Sequence, residues 1–394
     1  MGDPRYATAL LDWLACAAGG RDEPAARAAR AYGDPVVLGG TSGHVLDFDD
    51  TYLPGIAHLS APTAPAALVV AAELGLTVGE ALAAFARGFE AMAAVARASH
   101  PGLYDNGWHP TAVCGGVGAA VAAATLLDAP WSDAVAIALL RASGTRAAFG
   151  SDGKSIQLGL AAASGVAAAR LAKEGARVPL DKAAAGFAEA TGGRYAEPGA
   201  GGEPEPGAGG EAQAGAGGEP QAGTLAVADN WIKAWPCCLQ THGAIEAADR
   251  LDGNAPDDLT VTVHPVSLQA AALGPEPADG LQAKFSIPYL TAYTLLNGPP
   301  VVESFERVDH AAVERAKSIE IRTDRSLLES EFVLSGSGGE ELVRVKAALG
   351  SPQQPMDAAA LRAKVERLAG AELAGALDDP LQPAAKLLSL AGIA

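Results

Sequence analysis

The chain has 394 residues, of which 49% are hydrophobic and only 5% aromatic, and a formal net charge of −18. This length supplies a large core and suggests two domains, one carrying an insertion. The acidic balance excludes a basic nucleic-acid footprint and favours solubility, so an anionic ligand would need a local basic island.

Alanine dominates, and a mainly helical fold is expected. Residues 4–18 and 22–32 read as short amphipathic helices split by Gly19 and Gly20. No basic stretch precedes the first apolar run, so a signal peptide is not expected, and Tyr6 stands where a myristoylation motif takes Ser or Thr. A loop rich in Gly, Asp and Thr then leads into HVLDFDDTYLPGIAH, residues 44–58. This stretch gathers Asp47, Asp49, Asp50, Thr51, His44 and His58 in an apolar neighbourhood. Buried charge is costly unless it is paired or used, which makes the knot a candidate site. The plainer alternative is an exposed acidic loop capping a helix.

Helical spacing returns over residues 65–74 and 78–98, the second with Thr77 as N-cap and Glu80 completing a capping box. HPGLYDNGWHP (100–110) is irregular. An Ala, Gly and Val helix follows over 111–128, and its small residues predict close approach of a neighbour. Ser132 and Asp133 open the next helix, which ends near Ser143. GTRAAFGSDGKS then leads into a helix over 156–173. Charges, glycines and prolines are expected to break these runs before membrane-spanning length. Residues 196–223 contain no bulky apolar residue and read as a mobile surface insertion.

A further polar segment, NWIKAWPCCLQTH (230–242), precedes a helix ending near residue 251. From residue 257 the texture changes. Residues 258–264, 318–323, 331–335 and 341–347 read as strands, with helices at 288–297 and 310–316 among them. Residues 357–394 return to helical spacing. The expected fold class is mainly α with α+β. An all-helical domain spans 1–252, a smaller α+β lid domain spans 253–355, and C-terminal helices over 356–394 return to the helical domain.

Three polar segments each open an apolar helix, and helix N-termini favour anions. Together they supply Lys154 and Lys233, the imidazoles of His44, His58, His109 and His242, and an Asp/Thr group. This inventory suits holding carboxylates and moving protons. It suits a metal poorly, because no histidine pair has i, i+4 spacing and no CxxC occurs. Cys16, Cys114, Cys237 and Cys238 read as reduced thiols of a cytosolic protein, the last two as small apolar residues. AFGSDGKS (148–155) imitates a phosphate loop, yet the segment before it reads as helix where a strand is needed. DFDDT (47–51) imitates the DxDDT of class II terpene cyclases, which steer carbocations with many aromatic side chains; this chain has few. Trp108 and Phe285 suit packing, His44 a core or capping role, and His242, Ser155 and Gln157 either helix capping or anion contact.

HVLDFDDT (44–51), GWHPT (107–111), GKSIQLG (153–159), KAWPCCLQTH (233–242) and FSIPY (285–289) stand in the order of the MmgE/PrpD family. The chain resembles that family from about residue 5 to its end, the insertion apart. The family includes 2-methylcitrate dehydratase and cis-aconitate decarboxylase. The resemblance implies a helical domain with a smaller α+β lid, usually as a homodimer. It places Asp47, Thr51, His58, His109, Lys154 and Lys233 around an active site between the domains; His44, Ser155, Gln157, Cys238 and His242 stand beside them as further candidate substrate contacts. It implies small di- or tricarboxylate substrates and no iron–sulfur cluster; the residues themselves lead to the further expectations of no metal and no cofactor, a cytoplasmic location, and no nucleic-acid or membrane partner.

The roles expected from it are His109 as acid or base, Lys154 and Lys233 as carboxylate clamps, Asp47 with Thr51 as orienting groups, and His58 as the second proton-transfer group. Dehydration of a 2-methylcitrate-like acid is the leading expectation. Decarboxylation and epimerisation are the alternatives within the family, and a non-catalytic anion-binding dimer is the alternative outside catalysis. Two departures stand out. The segment between Thr51 and His58 is one residue longer than in the decarboxylases, and Cys238 stands where they carry a histidine, which counts against decarboxylation.

Overall fold

The computed structural model describes residues 3–197, 225–251 and 255–394. The proposed insertion therefore lies, from residue 198 on, outside the described residues. One compact unit holds the chain up to residue 197, residues 225–232 and Asp357–Ala394; the other holds Lys233–Met356. The architecture is mainly α with an α+β part. The second unit starts at Lys233, whereas the composition change placed that boundary at residue 253.

The first unit contains α1 (Pro4–Gly20), α2 (Pro24–Tyr32), α3 (Pro35–His44), α4 (Ser60–Glu73), α5 (Val78–Ser99), α6 (Gly102–Asp105), α7 (Pro110–Leu127), α8 (Trp131–Leu140), α9 (Gly153–Lys173) and α10 (Leu180–Thr191). Short strands β1 (Thr51–Tyr52) and β2 (Asn230–Trp231) pair antiparallel within it. Its core is built on Leu10, Trp13, Phe85, Phe89, Met92 and Leu158. The capping box at Thr77 and Glu80 forms as its spacing predicts.

The loop expected before His44 is instead helix α3. Asp34 accepts hydrogen bonds from the Val36 and Val37 amides, and Pro35 occupies the first turn. Glycine lowers helix propensity by about 1 kcal/mol per residue, which is why the segment reads as loop. Packing explains why the glycines are there. A Cβ on Gly40 would meet the Cα of Gly159 at 2.7 Å, and one on Gly43 would meet Trp13 Nε1 at 2.1 Å. Helix α9 is pressed against a second neighbour as well, since a Cβ on Gly165 would meet the Gly116 carbonyl at 2.4 Å. Backbone contact on two sides thus fixes the start of α9 against the end of α3 and the length of α7.

Helices α7 and α9 are long and apolar enough to cross a bilayer by length and composition alone. This differs from the expectation that every alanine run breaks earlier: α7 carries no charge over 18 residues. Its glycine face is covered by neighbouring helices. A Cβ on Gly118 would meet Thr63 Cγ2 at 2.6 Å and the Gly88 carbonyl at 2.8 Å.

The second unit contains α11 (Leu239–Asp249), α12 (Pro265–Ala270), α13 (Gly280–Ala283), α14 (Ile287–Asn297) and α15 (His310–Ala316). Its sheet is formed by β3 (Leu259–Val263), β4 (Ile319–Thr323), β5 (Phe332–Gly336) and β6 (Glu341–Val345), in the order β4-β3-β5-β6. Strand β3 runs parallel to β4 and antiparallel to β5, with Val261 opposite both Ile321 and Leu334. Helix α11 packs on β5 and α14, so the unit begins before α11. At Gly243 a Cβ would meet the Phe332 ring at 2.0 Å, so the helix lies directly on the sheet.

Helices α16 (Ala358–Ala369), α17 (Ala371–Ala374) and α18 (Ala384–Leu390) belong to the first unit. Helix α16 packs on α1, where Lys364 Nζ lies 2.6 Å from Asp12 Oδ1 and donates to the Phe48 carbonyl at 2.8 Å. Helix α16 therefore holds the backbone of the acidic loop at Phe48, between Asp47 and Asp49.

Candidate active site

Three elements of the first unit deliver the polar side chains. Helix α3 ends on His44, whose carbonyl accepts the Asp47 amide at 2.9 Å. The chain turns there with Asp47 at φ 53°, a left-handed conformation that Asp tolerates better than most residues. Ile56 is also left-handed, at φ 45°, which is costly for a β-branched residue, and its amide donates to the Leu53 carbonyl at 3.0 Å. The His58 amide then donates to Thr111 Oγ1 at 3.1 Å, tying the loop to the start of α7. His109 is the N-cap residue of α7, and its own amide donates to the Gly144 carbonyl at 3.1 Å. Lys154 and Gln157 come from the opening turns of α9.

These side chains form one cluster. Lys154 Nζ lies 3.1 Å from Asp47 Oδ1, and His58 Nε2 lies 3.8 Å from the same oxygen. His58 Nδ1 lies 3.2 Å from Asp49 Oδ2 and 3.4 Å from Thr51 Oγ1. His44 Nδ1 is 2.9 Å from both Asp49 oxygens. The His44 and His58 rings meet edge to face at 4.4 Å, and His109 stands 6.4 Å from His44. Gln157 Nε2 lies 2.6 Å from His109 Nδ1, while Gln157 Oε1 accepts the Thr145 amide at 3.1 Å. The Phe149 ring stands edge-on to His109 at 4.9 Å. The cluster has a front and a back. The side chains of His58 and Lys154 keep 10% and 9% exposure, while those of His44 and Asp49 have none.

Burial decides the charge states. It pushes the His44 imidazolium down to about 3, against the pull of Asp49. His109 is likewise driven well below the ordinary histidine range, by burial first and then by the Lys154 ammonium. Both are neutral near pH 7. For Asp49 burial opposes ionisation, yet the facing imidazoles of His44 and His58 hold its carboxyl well below the usual range. Its neighbour Asp50 behaves in the opposite way. Burial and the charges of Asp49 and Asp12 push it up to about 8, although Ser60 Oγ at 3.0 Å and Asn230 Nδ2 at 2.7 Å both donate to it.

His44, Asp47, Asp49 and His58 each bring a ligand-type atom within 4.8 Å of the others, a grouping the spacing rules missed because a turn, not a helix face, assembles it. Lys154 already places a positive charge on Asp47, so a cation would have to displace it.

Of the residues singled out in the sequence, His44, Asp47, Thr51, His58, His109, Lys154 and Gln157 come together here. Ser155 is used at the helix start, where its hydroxyl donates to the Asp152 carbonyl at 3.1 Å. The segment preceding the phosphate-loop imitation is helix α8, not a strand. Lys233, Cys238 and His242 belong to the second unit. There Lys233 is buried and donates to the Cys237 carbonyl at 3.0 Å, and the Cys238 amide donates to the Lys284 carbonyl at 3.0 Å. His242 lies inside α11, which starts at Leu239, so it is no helix cap; its ring faces Trp235 at 5.1 Å. Sequence reasoning put Asp49 in the candidate knot but gave it no role, and it missed Phe149. A signal for Asp49 existed: three carboxylates within four residues, flanked by Val45, Leu46 and Phe48, cannot all reach water.

The sequence matches the MmgE/PrpD N-terminal domain over residues 35–194 and the MmgE/PrpD C-terminal domain over residues 235–379. It is also similar to the cis-aconitate decarboxylase of Aspergillus terreus, with 27% identity over 274 residues, covering 64% of this chain and 54% of that protein. The matched stretch thus spans about half the length of the fungal protein. The whole His, Asp and Lys154 cluster falls inside the N-terminal match, whereas Lys233 falls between the two matches.

Proposed function

The chain belongs to the MmgE/PrpD family, and from that premise we propose that it is a cofactor-independent lyase for a small di- or tricarboxylate, acting as a homodimer. The reaction we favour is dehydration or hydration of a 2-methylcitrate-like hydroxy acid. The observation that carries this reading is the buried cluster in which the His44 and His58 imidazoles, the carboxyl groups of Asp47 and Asp49 and the Lys154 side chain meet.

Dehydration next to a carboxylate needs a base for the proton on the α-carbon, positive charge or donors for the enediolate, and an acid for the departing hydroxide. His58 and Lys154 occupy the front of the cluster and are the groups a substrate meets first. Asp47 fixes Lys154, so little ordering is needed when a carboxylate binds. His109 supplies a second imidazole, as a hydrogen-bond donor to the developing enediolate. Similarity to a cis-aconitate decarboxylase supports decarboxylation as the other reading. Cys238 counts against it. Epimerisation would use the same carbanion-like intermediate.

The test is incubation with a panel of hydroxy and unsaturated di- and tricarboxylates, followed by mass spectrometry for loss of water or carbon dioxide. Water loss from a hydroxy acid is the expected result. Carbon dioxide release from cis-aconitate would replace dehydratase by decarboxylase. Calorimetric binding with neither product nor solvent deuterium uptake would make the protein a silent anion binder.

A further inference from the structure

We propose that Asp49 and Gln157 are positioning residues that hold His58 and His109 in opposite tautomers, so that one presents a proton acceptor and the other an N–H donor. This rests on the proposed lyase reading for its chemistry, but its geometry stands by itself.

Asp49 is fully buried and faces the Nδ1 atoms of two imidazoles, His44 at 2.9 Å and His58 at 3.2 Å. An ionised carboxylate only accepts hydrogen bonds, so an Nδ1 that it holds carries hydrogen; at His58 the Thr51 hydroxyl, 3.4 Å from the same Nδ1, then serves as a second acceptor. Its depressed acidity range agrees with that charge state. In a neutral imidazole the other nitrogen is then a lone-pair acceptor. For His58 that acceptor is Nε2, which lies 3.8 Å from Asp47 Oδ1, the oxygen that the Lys154 ammonium holds at 3.1 Å. His44 lies behind and holds the second face of the same carboxylate.

His109 is set the other way. The Gln157 amide cannot rotate freely, because its oxygen accepts the Thr145 backbone N–H at 3.1 Å. Its NH2 must therefore face His109 Nδ1, at 2.6 Å. A donor facing Nδ1 makes that nitrogen the acceptor and leaves the hydrogen on Nε2. Thr145 is itself held, since Trp108, the residue before His109, bridges to it. Burial keeps His109 neutral, so it acts as an N–H donor and not as an imidazolium.

The two tautomers divide the reaction between them. His58 Nε2 takes the proton from the α-carbon. The electron pair of that C–H bond moves into the enediolate, whose oxygen receives a hydrogen bond from His109 Nε2–H. The enediolate then collapses, its electron pair forming the carbon–carbon double bond and restoring the carboxylate, while the hydroxide leaves with the C–O electron pair and takes the proton from the His58 imidazolium, giving water and a neutral imidazole. No oxidant or reductant enters.

The test is 15N NMR of the full chain labelled at histidine, which reports the protonated ring nitrogen without any activity measurement. Of the seven histidines, His58 and His109 are assigned by single replacement. Near pH 7, His58 should show hydrogen on Nδ1 and His109 on Nε2. The Gln157→Glu variant places a carboxylate at Nδ1 and should move the His109 hydrogen there, with kcat falling by about 10²-fold or more and KM changing less. Asp49→Asn should release the His58 preference and shift the pH profile of kcat. The same tautomer on both rings in the wild type would overturn the proposal, as would Gln157→Glu with an unmoved hydrogen and unchanged kcat. Opposite tautomers in a protein that turns over no acid would uphold the positioning and reject the lyase; turnover with identical tautomers would do the reverse.

Discussion

Two groups of buried charges lie in the first unit, and they are built on different rules. Asp12 and Lys364 meet at 2.6 Å, an ammonium on a carboxylate, with the Phe48 carbonyl taking another ammonium hydrogen. The His44, Asp47, Asp49, His58, His109 and Lys154 cluster instead crowds three imidazoles and two carboxylates around one ammonium, with Asp47 in a left-handed turn. The first arrangement is what stability asks of buried charge. The second holds more titratable groups than pairing requires, and such an excess marks sites where protons move. The first also serves the second, because Lys364 fixes the loop backbone between the two carboxylates of the cluster.

Breaking the two groups should have opposite signatures. His109→Asn keeps an acceptor opposite Gln157 and should lower turnover by roughly 10²–10⁴-fold. Its melting temperature should stay close to that of the wild type, as read by calorimetry beside the rate assay. Lys364→Met leaves Asp12 buried without its cation and should cost about 3–5 kcal/mol of stability in a denaturant titration. Any activity loss in that variant should track the unfolded fraction. A His109 variant that melts early, or a Lys364 variant that is stable but inactive, would erase the distinction.

How much of this was legible in sequence depended on where the cause lay. Strands β3 and β4 and helix α15 follow from alternation and helical spacing, and the Thr77 cap follows from a local motif; these are short-range effects. Helix α3 did not, because its glycines answer to Gly159 and Trp13, which are distant in sequence. The start of the second unit at Lys233 was hidden for the same reason, since α11 reads as one more alanine-rich helix until Phe332 lies against Gly243. Within the site, residue types pointed to Asp47, His58, His109 and Lys154. Asp49 and Asp50 looked interchangeable, and only the contacts made by each separate an ionised acceptor from a carboxyl pushed up to about 8.

That separation is testable through pH. The folded Asp50 keeps a proton up to about pH 8, while the unfolded chain loses it near 3.8. Between those values the folded state binds the extra proton, so Asp50 lowers stability as pH rises, by up to about 1.4 kcal/mol per pH unit. Urea midpoints measured between pH 5 and about 8 should fall more steeply in the wild type than in Asp50→Asn. Equal slopes would mean that Asp50 is ionised like Asp49. The smallest effect is the local one: Thr77→Ala removes the α5 cap far from either charged group and should cost about 1 kcal/mol with kcat unchanged. A larger loss would show that α5 has little support beyond its cap.

Proton transfer by the buried cluster is the centre of the account, and it is read most directly by deuterium uptake from solvent into the carbon next to a carboxylate of 2-methylcitrate, comparing wild type with His58→Asn. The wild type should exchange that position during turnover, and the folded variant should not. Exchange at the wild-type rate in the variant would contradict the account.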